Sequence, residues 1–368
     1  MERKHIKYFD YLRSLGVFLV VYLHVASPII SGDIYVNSIV RSILIVLSTI
    51  GYTAVPLFFM MSGYLILTDS KTEKVTVLLK HRIVHLIVPL IFWSCLVTLW
   101  VMWKNDDILL CSFIKYMLSV FSTPIMQHLW YVYTLIAIYL LSPILYVAIN
   151  NLNGQGKKYL FVLIIFIFLQ SMVSAIVPDD IKDIIAVGPL VELRFLKGHL
   201  CTFILGYFLG NMKRHISNLI LISVGFIDLL LISSSTIFIT LEDSYTGKIQ
   251  DQSAGFAVLL AACIFLFFKQ NLDSVESKVN IVPFVQMSFG IYLMHNLLNR
   301  IFSYIGWEVE GIISVGVKMG GIILICCIIL KTLATCKITC FLATGVSFLK
   351  ANETFNWRYT IHKFLKKR

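Results

Sequence analysis

Arg13 and His24 lie eleven residues apart in the first apolar stretch of the chain. At 3.6 residues per turn this step is about three turns plus 20°, so both side chains leave one helix face, about 16 Å apart along the axis. An ionisable side chain in an apolar span is costly and is by default a functional candidate. A guanidinium at the mouth of a helix and a titratable imidazole deeper in it suit an anionic donor entering from one side. Imidazole titrates near neutrality and serves as a general base there. Asp10, three residues before Arg13, is a candidate ion-pair partner for it.

A second set falls in Ser288-Phe-Gly-Ile-Tyr292-Leu-Met-His295-Asn296. A helix entering near Pro283 places His295 about 18 Å along its axis, close to the depth of His24, with Tyr292 one turn below on the same face. Each histidine alone is equally well read as a packing residue. At matching depth they are expected to line one cavity.

The elements that must carry these residues are membrane helices. The chain has 368 residues, 58% hydrophobic and 14% charged, against about 25% charged in soluble domains. Apolar blocks of bilayer-spanning length fall near 12–30, 42–67, 83–103, 128–149, 158–177, 196–212, 218–241, 253–268, 283–305 and 311–330. The expected fold is all-α: a polytopic helix bundle of about ten transmembrane helices with both termini cytoplasmic. The first block is read as an uncleaved helix, because it is longer than a signal-peptide core and many spans follow it. With the N-terminus inside, 22 of the 31 Lys and Arg residues fall on inner segments, and acidic residues show the reverse bias. The net charge of +11 is thus mainly a positive-inside signal, and a nucleic-acid partner is excluded for want of a soluble basic domain.

Ile108–Phe121 and Ile184–Phe195 are apolar but too short to span, and read as interfacial or re-entrant helices. Ile39–Leu67 is long and contains Pro56, so a tilt or a break at the proline is expected. Residues 1–335 form the membrane domain, and 336–368 a cytoplasmic interfacial helix and basic tail. Gly206/Gly210 and Gly316/Gly320 have helix-packing spacing. The eight cysteines show no metal-site spacing and read as apolar fillers, with Cys336 and Cys340 placed to share a helix face. Asp228 lies inside a span without a named partner.

Five motifs, in order along nearly the whole chain, carry a resemblance. They are Phe9-Asp10-Tyr11-Leu12-Arg13-Ser14-Leu15 through His24; Pro56-Leu-Phe-Phe-Met-Met-Ser62-Gly63-Tyr64; Lys80-His-Arg82 with Val88-Pro89-Leu-Ile-Phe-Trp93; His128-Leu-Trp130-Tyr131 with Tyr139-Leu-Leu-Ser-Pro143; and Ser288 to His295. Together they resemble the acyltransferase-3 family of membrane acyltransferases. Within it the chain is similar to the short stand-alone type that includes the enterobacterial common antigen O-acetyltransferase. Ala343-Thr-Gly345-Val-Ser-Phe is similar to a C-terminal segment of a racemase-linked subgroup. Where many members have a second arginine after the basic loop, this chain has Ile83-Val84-His85.

The resemblance implies a bacterial inner-membrane enzyme, an acyltransferase of groups other than aminoacyl groups, that O-acylates a surface polysaccharide or its lipid-linked precursor. The co-substrate is cytoplasmic acyl-CoA, expected to be acetyl-CoA, with no permanently bound cofactor and no metal. His24 is the expected general base, with Arg13 and His295 in the catalytic set. Lys80 and Arg82 are expected on the coenzyme A phosphates. Ser62, Trp130, Tyr131 and Tyr292 are the further substrate-binding candidates, and Ser62, Tyr292 and His295 are candidate acyl carriers. Expected partners are the acyl-CoA, the glycan acceptor, the bilayer and, as candidates, glycan-assembly enzymes. Two other readings are weighed: a transporter or flippase of a glycan or acyl-bearing precursor, which needs no basic donor mouth, and a sensor or partner subunit for another glycan enzyme.

Overall fold

Helix follows helix from Lys7 to Thr354 in the computed structural model, which describes residues 5–106, 109–177, 198–242, 249–273 and 280–360 and has no strand among them. The long helices are α1 (Lys7–Ser31), α2 (Ser38–Gly51), α3 (Ala54–Leu67), α5 (Val84–Lys104), α7 (Trp130–Asn151), α8 (Gly154–Ile176), α9 (His199–Asn211), α10 (Asn218–Glu242), α11 (Gly255–Leu272), α12 (Val282–Tyr304) and α13 (Ile312–Leu333). Short helices are α4 (Val75–Leu78), α6 (Leu110–Ser119), α14 (Lys337–Thr344) and α15 (Phe348–Thr354). Backbone chemistry sets their ends. Gly32 stops α1 at φ +92°, in the left-handed region that glycine enters without penalty. Asn37 starts α2, its side chain accepting from Ile39 N at 2.8 Å.

Eight helices among the described residues are long and apolar enough to cross a membrane, counting Ser38–Leu67 and Val75–Lys104 as single spans. The apolar blocks lead to an expectation of about ten. The stretches 196–212 and 283–305 are helical but fall outside this set. α9 has 13 residues and is buried along most of its length, so it needs no lipid-facing apolar surface. α12 has 23 residues and carries Gln286, Ser288, His295, Asn296, Asn299 and Arg300, which lower its apolarity. The 30-residue span breaks at Tyr52–Thr53, one turn before Pro56 rather than at it. Pro56 sits in the first turn of α3, where its missing N–H is no loss. Within the short apolar segment 108–121, Leu110–Ser119 is helical as α6; the segment 184–195 lies outside the described residues. The tail segment 335–349 is not one helix, because Gly345 at φ +68° separates α14 from α15.

Two compact units are interleaved along the chain. The first comprises residues 1–73, 142–277 and 309–315. Its centre is the crossing of α3 with α9. A Cβ on Gly63 would collide with the Phe203 carbonyl, one on Gly206 with the Met60 backbone, and one on Gly210 with the Tyr64 ring. The 206/210 glycine pair is thus a packing device, as its spacing implies. α1 lies against α2, α3 and α11. Tyr22 Oη donates to Leu44 O at 2.8 Å. Gln250 Nε2 donates to Thr49 Oγ1 at 2.7 Å and to Ser48 Oγ at 3.2 Å, satisfying polar groups buried in this unit. Asp228 is buried on α10 with 3% exposure.

The second unit comprises residues 74–141, 278–308 and 316–368. α5 is its axis, packed against α6, α12 and α14. Cβ atoms on Gly316 and Gly320 would meet nothing among the described residues, so this pair does not pack as its spacing suggests; Gly321 does, against Trp307. Cys336 is exposed and Cys340 buried, so the two do not share an environment. The tail belongs to this core: Cys340, Ala343, Ala351, Phe355 and Asn356 are fully buried.

Candidate active site

α1 presents Arg13 and His24, both half-buried, between neighbours that are mostly buried. Pro28 stands four residues after His24 and has no N–H, so the His24 carbonyl lacks its usual helical donor. Asp10 Oδ2 lies 2.7 Å from His5 Nε2. In the same unit Ser62 is half-buried on α3, beside the glycine that admits α9. His199, which sequence reasoning passed over, opens α9 and stacks on Phe59 at 4.8 Å.

In the second unit the basic loop is a π-helical turn, Leu79–Ile83. Val84 N bonds to Leu79 O, the i→i+5 ring of a π turn. Leu78 and Ile83 are buried on either side, and the five-residue step between them is what the wider turn accommodates. Lys80 and His81 are exposed and Arg82 is half-buried. The turn therefore carries two cations, Lys80 and Arg82. The chain's departure from the family pattern also has a structural place. His85 Nδ1 donates to Gly345 O at 2.5 Å, and Trp93 Nε1 to Ala343 O at 2.9 Å.

The most closely knit cluster in this unit joins the start of α7 to α12. His128 and His295 have ring centroids 4.9 Å apart, and Tyr131 and Tyr292 are 5.6 Å apart. All four are buried, His295 completely. Tyr292 Oη donates to His128 O. His295 Nδ1 lies 2.6 Å from Tyr292 O, which only accepts, so Nδ1 carries a proton. Asn296 Nδ2 lies 3.2 Å from His128 Nδ1. Both imidazoles are thus held by groups of α12. Trp130 is half-buried at the cluster's edge, its ring 6.5 Å from that of Tyr131. The structure therefore brings Tyr131, Tyr292 and His295 together. His128, present in a quoted motif but not singled out for chemistry, is the residue that joins them. It precedes α7 on a 3-10 turn, Gln127–Leu129, so helix-face arithmetic does not reach it.

The acyltransferase-3 family model, described as an acyltransferase domain, matches residues 6–332. The chain belongs to this family. It is a multi-pass membrane acyltransferase, transferring groups other than aminoacyl groups. No curated protein and no solved structure gives a significant match to it. The match takes in α1, the π turn and the His128 cluster of this acyltransferase, and stops before α14 and α15.

Proposed function

We propose that the protein is an O-acetyltransferase of the bacterial inner membrane, of the stand-alone type, which moves an acetyl group from cytoplasmic acetyl-CoA to a hydroxyl of a surface polysaccharide or its lipid-linked precursor. The observation that carries this reading is the pairing of Arg13 with His24 on one face of α1 in a chain of this family. Coenzyme A phosphates cannot cheaply leave water, and Lys80 and Arg82 provide cations on the turn that the charge asymmetry assigns to the inner side. Arg13 supplies a further cation at the inner end of α1.

In the proposed step His24 accepts the proton of the acceptor hydroxyl as its oxygen attacks the thioester carbonyl. The carbon–sulfur bond breaks, and the departing coenzyme A thiolate takes that proton from the imidazolium. General-base assistance of this kind contributes about 10²–10⁴-fold. His128 and His295, with Tyr131, Tyr292 and Trp130 beside them, form a second set of proton-transfer and substrate-binding candidates, and Ser62 on α3 is a further substrate-binding candidate. The test is acetyl transfer by the purified, reconstituted protein from labelled acetyl-CoA. Wild type is expected to label the glycan acceptor, and an enzyme that leaves acetyl-CoA untouched in the presence of acceptor would refute the reading.

A further inference from the structure

Where α1 gives way to α2 the first unit holds a cavity of about 430 Å³, within the size range of small-molecule sites. It lies at the end of α1 that the charge asymmetry assigns to the outer side. Gly32, which begins its lining, follows His24 by eight residues, about 12 Å further along the helix axis. The polar part of the lining is Tyr35, Asn37, Ser38, Arg41, Ser42 and Thr240.

The cavity is built around Arg41. Its Nε and Nη2 donate to Ile30 O at 3.2 and 2.9 Å, which fixes the guanidinium against the last turn of α1. A guanidinium has five N–H groups, so three are left for other partners. Gly32 makes room for it: a Cβ there would meet Arg41 Nη2 at 3.1 Å, and the residue's φ of +92° already favours glycine. Around this one cation stand hydroxyls and an amide, groups that both donate and accept. Tyr35 stands at the rim with 95% exposure. Among the described residues Arg41 is the cation of this lining, beside hydroxyls, an amide and the apolar side chains of Ile34, Val36, Ile45 and Ile237. A cation with hydrogen-bonding groups and apolar side chains complements a sugar bearing one acidic group, whose hydroxyls and apolar ring face both find partners.

We propose that this cavity is the acceptor subsite, taking one sugar unit that bears a carboxylate or phosphate, with Arg41 as the specificity-determining residue for that charge. The assignment rests on the proposed glycan acylation, but its test is a binding measurement that needs no turnover. Saturation-transfer NMR on the full-length protein in detergent would use methyl glucuronide, glucose 1-phosphate and, as the neutral control, methyl glucoside. At least one anionic probe binds tighter than the neutral control by about tenfold or more, the size expected of a charged hydrogen bond. Arg41→Gln removes that difference and Arg41→Lys keeps part of it. Ser42→Trp fills the cavity without touching the bond to Ile30, and abolishes binding of all three probes in a protein that still elutes as a folded species. Equal binding of charged and neutral probes, no binding of any, or unchanged binding in Ser42→Trp overturns the proposal. So does displacement of the sugars by phosphatidylglycerol, which would make the cavity a lipid-headgroup site. Acetyl-CoA turnover by the wild-type protein is read separately. Its absence defeats the proposed function and leaves the pocket result standing.

Discussion

His85 Nδ1 donates to Gly345 O at 2.5 Å, joining positions 260 residues apart. Pro89, four residues after His85, lacks the N–H that would otherwise bond the His85 carbonyl. The backbone of Gly345 lies against that carbonyl, where a Cβ would come within 2.5 Å of the oxygen. The C-terminal tail, beyond the family match, is thus fastened to α5 three residues after Arg82. His85, in the Ile83-Val84-His85 stretch that follows the basic turn, is the residue that fastens it.

Gly345→Ala is therefore expected to release the tail. The residue would have to hold φ +68°, which costs about 1–2 kcal/mol for an L side chain, and would clash as well. The thermal midpoint in detergent falls, and limited proteolysis cuts earlier between α14 and α15. A variant with unchanged midpoint and proteolysis pattern would show that the tail docking contributes nothing.

Gly63→Ala separates α3 from α9, because its Cβ would collide with the Phe203 carbonyl. Overpacking of this kind costs about 1–3 kcal/mol, and a backbone atom yields less readily than a side chain. Thermal unfolding of the purified variant is the check, with Gly316→Ala as control. The control's Cβ meets nothing among the described residues, and replacing a helical glycine there is expected to leave stability unchanged or raise it by up to about 1 kcal/mol.

Asn296→Leu removes the polar partner of His128 Nδ1. Losing one partner of a buried polar group costs about 1–3 kcal/mol. Acetyl transfer should fall while acetyl-CoA affinity is retained, a change in kcat rather than KM. An equal effect on donor affinity would mean that the cluster lies in donor binding instead.

Arg82→Ala weakens donor affinity, and the defect grows with salt because the remaining phosphate contacts at an exposed turn are screened. Arg13→Ala is more severe, since it also alters the face that carries His24. Acetyl-CoA binding at low and high ionic strength measures both, and unchanged affinity in the two variants would remove the donor assignment.

Much of this architecture is legible in the residues themselves. Apolar blocks mark the long helices, and the eleven-residue step from Arg13 to His24 gives their common face. Other features depend on partners far away in sequence. Periodicity does not show that α9, at 13 residues, is buried by α3, or that a polar α12 packs on α5. Proline 56 signals a break, but the chain breaks a turn earlier, since a proline is tolerated in a helix's first turn and disturbs the residues before it. The π turn at Leu79–Ile83 follows from burying Leu78 and Ile83 together, which requires their neighbours. His128 reaches His295 from a 3-10 turn, and the cavity beside Arg41 is framed by a connection that carries no motif.

The most direct measurement is labelled acetyl transfer in proteoliposomes with acetyl-CoA supplied on one known side, comparing wild type with His24→Ala. Wild type should label the acceptor only when the donor is on the face of Arg13. His24→Ala, present in the membrane at normal level, should lose about 10²–10⁴-fold in rate. Near-normal transfer by His24→Ala, or transfer with donor confined to the opposite face, would contradict the account.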